Sequence, residues 1–118
     1  MKTYPFPKGF RLTKAAEFRR VYQEGKVIRS DAFVLFYIMT EGEKPARIGI
    51  TVPRRFGKAV RRNRIKRLIR ESFRLLHPTL KSNVDIVVNV RSAADGMTQE
   101  EVMSELGYLL SKAGLRYA

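Results

Sequence analysis

The sequence predicts an α+β domain, a two-layer sandwich in the order α-β-β-β-α-β-α. Segments with apolar residues at i, i+3 and i+4 alternate with short runs of β-branched and aromatic residues, the signatures of helix and strand. The strand runs are either apolar throughout or alternate, so the sheet they form needs helices to cover it. The 118 residues suit one domain with one core, and no repeat, linker or low-complexity tract divides them.

The elements follow in order. Tyr4 to Gly9 holds two prolines and two aromatics, which predicts an extended arm over residues 1–10, able to pack through Phe6 and Phe10. Thr13 is the expected N-cap of a helix from Lys14 to Glu24, in which Ala15, Phe18 and Tyr22 share a face and Gly25 supplies the stop. A weak strand follows at Lys26 to Arg29. Ala32 to Thr40 (AFVLFYIMT) is a strand so apolar that both faces must be covered. Glu41 to Pro45 is turn chemistry, and Ile48, Ile50 and Val52 then alternate with Arg47, Gly49 and Thr51. These last two strands are expected to form an antiparallel hairpin.

Ala59 to Leu76 reads as the central helix, with Ile65, Leu68, Ile69, Phe73 and Leu76 forming its apolar stripe. Gly57 precedes it. His77-Pro78 ends it, because the residue before a proline is pushed away from α geometry. Val84 to Val90 is a strand whose Ile86, Val88 and Val90 face one way, with Asp85, Val87, Asn89 and Arg91 facing the other. Thr98 and Glu101 form a capping box for a last helix that buries Val102, Leu106, Leu109, Leu110 and Ala113 and closes at Gly114. Its outer face carries Glu100, Glu101 and Glu105, and its role is structural.

Charge is concentrated. Arg54 to Arg74 (RRFGKAVRRNRIKRLIRESFR) holds ten Lys or Arg against Glu71 alone, so it carries +9 of a net +13, while the other 97 residues hold 14 basic and 10 acidic groups. On the helix, Asn63, Arg67, Arg70 and Arg74 fall at i, i+4, i+7 and i+11 with Lys66 beside them, opposite the apolar stripe. Eighteen helical residues span roughly 27 Å, the reach of several consecutive phosphates. Arginine dominates the set, and its planar fork grips phosphate and stacks on bases as lysine does not.

This pattern points to a polyanion, with nucleic acid first. A membrane surface is disfavoured because strands are available to cover the apolar stripe, and no run approaches the roughly 20 apolar residues of a span. A secretory signal is not visible, and the absence of cysteine fits a reducing cytoplasm. A helix-turn-helix is not apparent, since strands flank the basic helix. RNA suits the remaining features, with Phe18, Tyr22 and Phe36 available as a stacking platform. An enzyme is harder to find: His77 is the single histidine and reads as a helix C-terminal residue, and the acids are scattered with no two-metal spacing.

The run Lys58-Ala59-Val60-Arg61-Arg62-Asn63-Arg64-Ile65-Lys66-Arg67-Leu68-Ile69-Arg70 resembles the RNR motif of the bacterial ribonuclease P protein-subunit family. The resemblance extends through Arg11-Leu12-Thr13, Phe18, Val21-Tyr22 and Gly25, then Phe33-Val34-Leu35-Phe36, Arg47 to Val52, and Asp85-Ile86-Val87-Val88. It implies a fold like domain 2 of ribosomal protein S5, with a left-handed βαβ crossover through the motif helix. It also implies a ribonucleoprotein that removes the 5′ leader of precursor tRNA, the chemistry carried by an RNA that uses Mg²⁺. The protein itself would hold no firm cofactor or metal and need no obligate protein partner.

On that resemblance, Arg54, Arg55, Lys58, Arg61, Arg62, Asn63, Arg64, Lys66, Arg67 and Arg70 are expected to contact the catalytic RNA. Phe18, Tyr22 and Phe36, with Asn89 and Arg91, are expected to line the leader cleft. Arg54-Arg55 stands where Lys-Lys is common, Tyr22 where Phe is common, and the proline-bearing arm is longer than in many members. The alternatives are a general RNA-binding or ribosome-associated module and a protein-only metal nuclease.

Overall fold

The computed structural model describes residues 6–117, with α1 at Ala15–Glu24, β1 at Lys26–Arg29, β2 at Phe33–Met39, β3 at Arg47–Thr51, α2 at Ala59–Leu76, β4 at Val84–Val90 and α3 at Gln99–Lys112. This is the predicted order, the weak first strand included. Residues 1–5 of the predicted arm lie outside the described residues. Within the rest, Lys8–Phe10 forms a 3-10 turn and not an extended segment.

The strands form one sheet ordered β1-β2-β4-β3, antiparallel except for the parallel β3–β4 pair. The expected β2–β3 hairpin does not form. β2 and β4 place apolar side chains on both faces and so take the central positions, whereas β3, with Arg47 and Thr51 on one face, sits at the edge. A local device steers the chain there. Asn83, in left-handed geometry at φ 60°, accepts from Thr40 N–H through its backbone carbonyl and from Lys44 N–H through Oδ1, and donates to the Lys44 carbonyl. These bonds carry the 40–44 loop across the start of β4. The partner of β2 in a hairpin is β1, in register from Lys26 opposite Tyr37 to Arg29 opposite Val34.

The main core lies between the sheet and the α2–α3 pair. Ile65, Ile69, Phe73 and Leu76 of α2 meet Val102, Leu106, Leu109 and Leu110 of α3 over Phe33, Leu35, Ile48 and the even-numbered valines and Ile86 of β4. Each such side chain contributes about 2 kcal/mol by leaving water. The two-layer description fits this core. On the other face, α1 adds a partial third layer over a smaller cluster of Leu12, Val21 and Val87 with Phe18, Phe36 and Ile38.

Two features set α2. Gly57, at φ 152°, turns the chain from the Arg54–Phe56 3-10 turn into the helix, in a region that side chains disfavour. At the other end His77 keeps α geometry (φ −53°, ψ −41°) despite preceding Pro78, so the expected pre-proline effect does not act. The helix tightens instead into a 3-10 turn at His77–Thr79, which leaves the proline without an amide obligation. The His77 ring stacks on Phe10 at 3.6 Å and places Nε2 3.1 Å from the Ala46 carbonyl. Phe6 and Phe10 pack on Phe73, docking the arm against the C-terminal half of α2. The α3 capping box forms as expected: Thr98 Oγ1 accepts from Glu101 N–H and Glu101 Oε1 accepts from Thr98 N–H.

Candidate nucleic-acid interface

The cationic residues of α2 and its approach divide by what they touch. Arg54, Arg55, Lys58, Asn63 and Arg67 are exposed, while Arg62, Lys66 and Arg70 are half-buried along the helix flank, spaced i, i+4 and i+8. Arg61 and Arg64 are exposed too, but they have internal work. Arg61 donates to the Asp95 carboxylate and Arg64 Nη2 donates to the Met97 carbonyl at 2.9 Å, so both hold the loop between β4 and α3. The predicted stripe of Asn63, Arg67, Arg70 and Arg74 is altered at its C-terminal end, where Arg70 and Arg74 are half-buried. Arg74 is bonded to both carboxylate oxygens of Glu71. Burial, and then the like charge of Arg11, lowers the pKa of Arg70. Arg62 Nε is buried with no hydrogen-bond partner among the described residues, a donor that costs stability until something accepts from it.

A second surface lies where Tyr22, near the end of α1, meets β2, β3 and β4. Tyr22 meets Phe36 edge-on at 4.9 Å. Its hydroxyl donates to Asn89 Oδ1 at 2.6 Å and lies 3.1 Å from Thr51 Oγ1. Asn89 and Thr51 are register partners on β4 and β3, so the parallel pairing brings them under one hydroxyl. Beside them opens a cleft of about 390 Å³ lined by Val34, Thr51, Pro53, Arg55, Phe56, Asn89, Val90, Arg91 and Ser92. Tyr22, Phe36, Asn89 and Arg91 are thus gathered at one place.

Phe18 packs in the same cluster as Phe36, one turn before Tyr22 on α1. Its ring covers Gly49 so closely that a Cβ there would come within 2.4 Å of it, and it lines a separate hollow of about 100 Å³ with Phe6, Arg11 and Arg70. Sequence reasoning also missed Thr51, Arg55 and Phe56 as cleft residues. Thr51 joins the floor through the parallel β3–β4 pairing, which the βαβ crossover implied by the resemblance contains and the residue pattern alone does not.

The position of α1 over the sheet is set by a cross-tie. Arg47 on β3 makes a bidentate pair with Asp85 on β4, through Nε at 2.9 Å and Nη2 at 2.8 Å, and its Nη1 reaches Glu17 on α1 at 2.8 Å. Glu17 Oε1 also accepts from the Thr13 and Lys14 amides, capping the first turn of α1 in place of the expected Thr13 side chain. Burial disfavours the Glu17 carboxylate, but those two amides and the Arg47 guanidinium outweigh it and hold its pKa below the ordinary value. The bond to Asp85 raises the pKa of Arg47. Among the described residues, no group of three or more His, Cys, Asp or Glu is placed to hold a metal ion, and no helix is long and apolar enough to cross a membrane.

Comparison with known proteins agrees with this architecture. The family model described as Ribonuclease P matches residues 6–114. The Ribonuclease P protein component of Limosilactobacillus reuteri (strain DSM 20016) is 38% identical over 108 residues, 92% of each chain, and that of Clostridium kluyveri is 41% identical over 108 residues, 90% of this chain and 96% of its own. Among solved structures, a Staphylococcus aureus RNase P protein mutant with defective mRNA degradation activity superposes with a TM-score of 0.85 at 34% identity, covering 92% of this chain and 91% of that one. The RNase P protein from Thermotoga maritima gives 0.79 at 33% identity, covering 86% and 96%. A helix dense in arginine, a cleft beside Tyr22 and Phe36 at the end of the sheet and these matches across nearly the whole chain have one reading: the chain belongs to the family of ribonuclease P protein components.

Proposed function

We propose that this chain works as the protein subunit of ribonuclease P by holding two RNAs on two surfaces. The flank and crest of α2, with Arg62, Asn63, Lys66, Arg67 and Arg70 and the approach residues Arg54, Arg55 and Lys58, bind the catalytic RNA. The cleft beside Tyr22 and Phe36, with Asn89 and Arg91, binds the single-stranded 5′ leader of precursor tRNA. Cleavage is carried by the RNA with Mg²⁺, in the cytoplasm.

The observation that supports this reading is the presence of two chemically distinct surfaces, an arginine-rich α2 and a cleft at the end of the sheet with Tyr22 and Phe36 beside it and hydrogen-bonding groups at its floor, with Arg55 bordering both. The cationic side offsets phosphate repulsion without reading sequence. The cleft stacks and orients unpaired nucleotides, which mature tRNA lacks at its 5′ end. Arg61 and Arg64 act on the loop from Ser92 to Met97, which shapes one wall of the cleft.

The test is binding of precursor and mature tRNA to holoenzyme reconstituted with the RNA subunit, and cleavage at limiting Mg²⁺ with and without protein. Tighter precursor binding and stimulated cleavage are the expected results. Equal affinity for both tRNAs would overturn the leader assignment, and no stimulation at low Mg²⁺ would favour a general RNA-binding role.

A further inference from the structure

The arm that precedes α1 brings an arginine to the C-terminal half of the basic helix. Leu12 N–H donates to the Ile48 carbonyl at 3.0 Å and Arg11 bridges in parallel to Ile48, so the chain entering α1 runs along the edge of β3. Phe6 folds back beside it. The Phe6 ring meets Phe10 edge-on at 5.9 Å and Phe73 of α2 at 6.1 Å, and the Arg11 guanidinium lies over that ring, 5.5 Å from its centroid. A guanidinium held on an aromatic face is oriented before any ligand arrives.

Arg70 shares a hollow of about 100 Å³ with Arg11, floored by Leu12, Phe18 and Ile50, and no carboxylate lines it. Neither guanidinium makes a hydrogen bond or ion pair among the described residues. Glu17, in the adjoining hollow with Lys8 and Lys14, is already bonded to Arg47 and two backbone amides. The two arginines therefore face each other as like charges, and Arg70 registers it: burial and then Arg11 lower its pKa. An anion between them would turn that repulsion into attraction.

We propose that Arg11 and Arg70 form a clamp for one phosphate of the catalytic RNA, and that Phe6 is the residue that positions Arg11 in it. This rests on the reading of α2 proposed above. Arg70 is the last of three half-buried cations on the helix flank, after Arg62 and Lys66, each about 6 Å further along the axis. An RNA backbone following that flank reaches the hollow next. Phosphate suits the pair because two planar forks arriving from different sides can satisfy several of its oxygens together. The proline-bearing arm thus extends the cationic interface with a ring and an arginine from outside the helix.

The experiment is a salt titration of RNA-subunit binding by the full chain carrying Arg11→Ala, Arg70→Ala or both. Each single change is expected to weaken binding about fivefold near 0.1 M salt, the upper end for a partly exposed ion pair. The double change is expected to cost about tenfold, against the roughly twenty-five-fold of independent sites, and to lower the log–log salt slope by about 0.7 to 0.9, the share of one phosphate. Multiplying losses with a slope lowered by two shares would mean two phosphates and overturn the clamp. Unchanged affinity in Arg11→Ala would overturn it too and leave the α2 reading intact. Phe6→Leu keeps an apolar contact on Phe73 and should weaken binding about threefold, Phe6→Tyr should restore it, and in the Arg11→Ala background Phe6→Leu should have no further effect. An equal Phe6→Leu loss in that background would reduce the arm to packing and overturn the positioning role. A loss confined to the preference for precursor over mature tRNA would assign the hollow to the leader and overturn the proposal. An unchanged slope both in the double variant and on joint replacement of Arg62, Lys66 and Arg67 by Ala would overturn the clamp and the α2 reading together.

Discussion

The crest of α2 and the cleft under α1 are built on opposite principles. The helix presents long cations, some exposed and some half-buried along its flank, and on the proposed reading their contributions to RNA affinity largely add. The cleft presents short side chains fixed by one another: Tyr22 by Phe36, Asn89 by Tyr22, and α1 as a whole by Arg47. On the proposed reading, its selectivity comes from that fixed geometry. A charged surface tolerates single losses, whereas a preorganised one does not.

The comparison breaks first on the helix. Replacing Arg62, Lys66 and Arg67 together by Ala should weaken RNA-subunit binding about a hundredfold near 0.1 M salt and lower the log–log salt slope by about 2, one share per phosphate lost. A salt titration of binding reads both. An unchanged slope would mean these residues meet no phosphate. Precursor preference should persist in whatever complex forms.

The cross-tie sharpens the other side. Asp85→Ala removes one partner of a largely buried pair, and thermal or denaturant unfolding should show a loss of about 2 kcal/mol, held below the full buried-pair value because Arg47 keeps Glu17 and some water. α1 should loosen, so leader discrimination falls while RNA-subunit affinity holds. Glu17 adds a pH signature. Its folded pKa is lowered, so its contribution is present above the unfolded carboxylate value of about 4.3 and is lost as pH falls through the lower folded value. Stability measured against pH should therefore decline on the acid side of that value, and Glu17→Gln should flatten the decline.

Within the cleft, Phe36→Ala should reduce the preference for precursor over mature tRNA by about tenfold, the effect of one lost stacking surface. The same change should leave the salt slope of RNA-subunit binding alone. The smallest effect belongs to the loop. Asp95→Asn releases Arg61 from an exposed ion pair, and RNA binding should tighten by about twofold at low salt, with little change in stability.

The two regions also differed in how far they could be read from the chain. The α2 face was legible because charge density and helical period are local, and Ile65, Ile69, Phe73 and Leu76 are buried where the period puts them. The roles of Arg61 and Arg64 were not, because the carboxylate and carbonyl they meet come from a loop more than thirty residues away. The aromatic side of the cleft was legible as a stacking platform of Phe18, Tyr22 and Phe36, whereas Asn89 and Arg91 were marked only through family resemblance. Its floor depends on which strand lies beside β4, a non-local choice that alternation of side chains does not encode. Phe18 shows the same limit: the period placed it on the α1 face that packs with Phe36, but its close cover of Gly49 depends on where β3 lies.

β3 joins the two surfaces. It ends at Thr51, on the cleft floor, and three residues later the chain is at Arg54, entering the basic segment; Arg55 lies in both. The separation in space is therefore a close connection along the backbone. Binding free energies linked through such a connection are reciprocal. Whatever factor the catalytic RNA adds to leader affinity by steadying that junction, the leader must return in affinity for the catalytic RNA. On the proposed reading, a holoenzyme carrying a precursor would dissociate more slowly than an empty one by that same equilibrium factor, to the extent that it is expressed in the off-rate, and the substrate would help hold together the machine that cuts it.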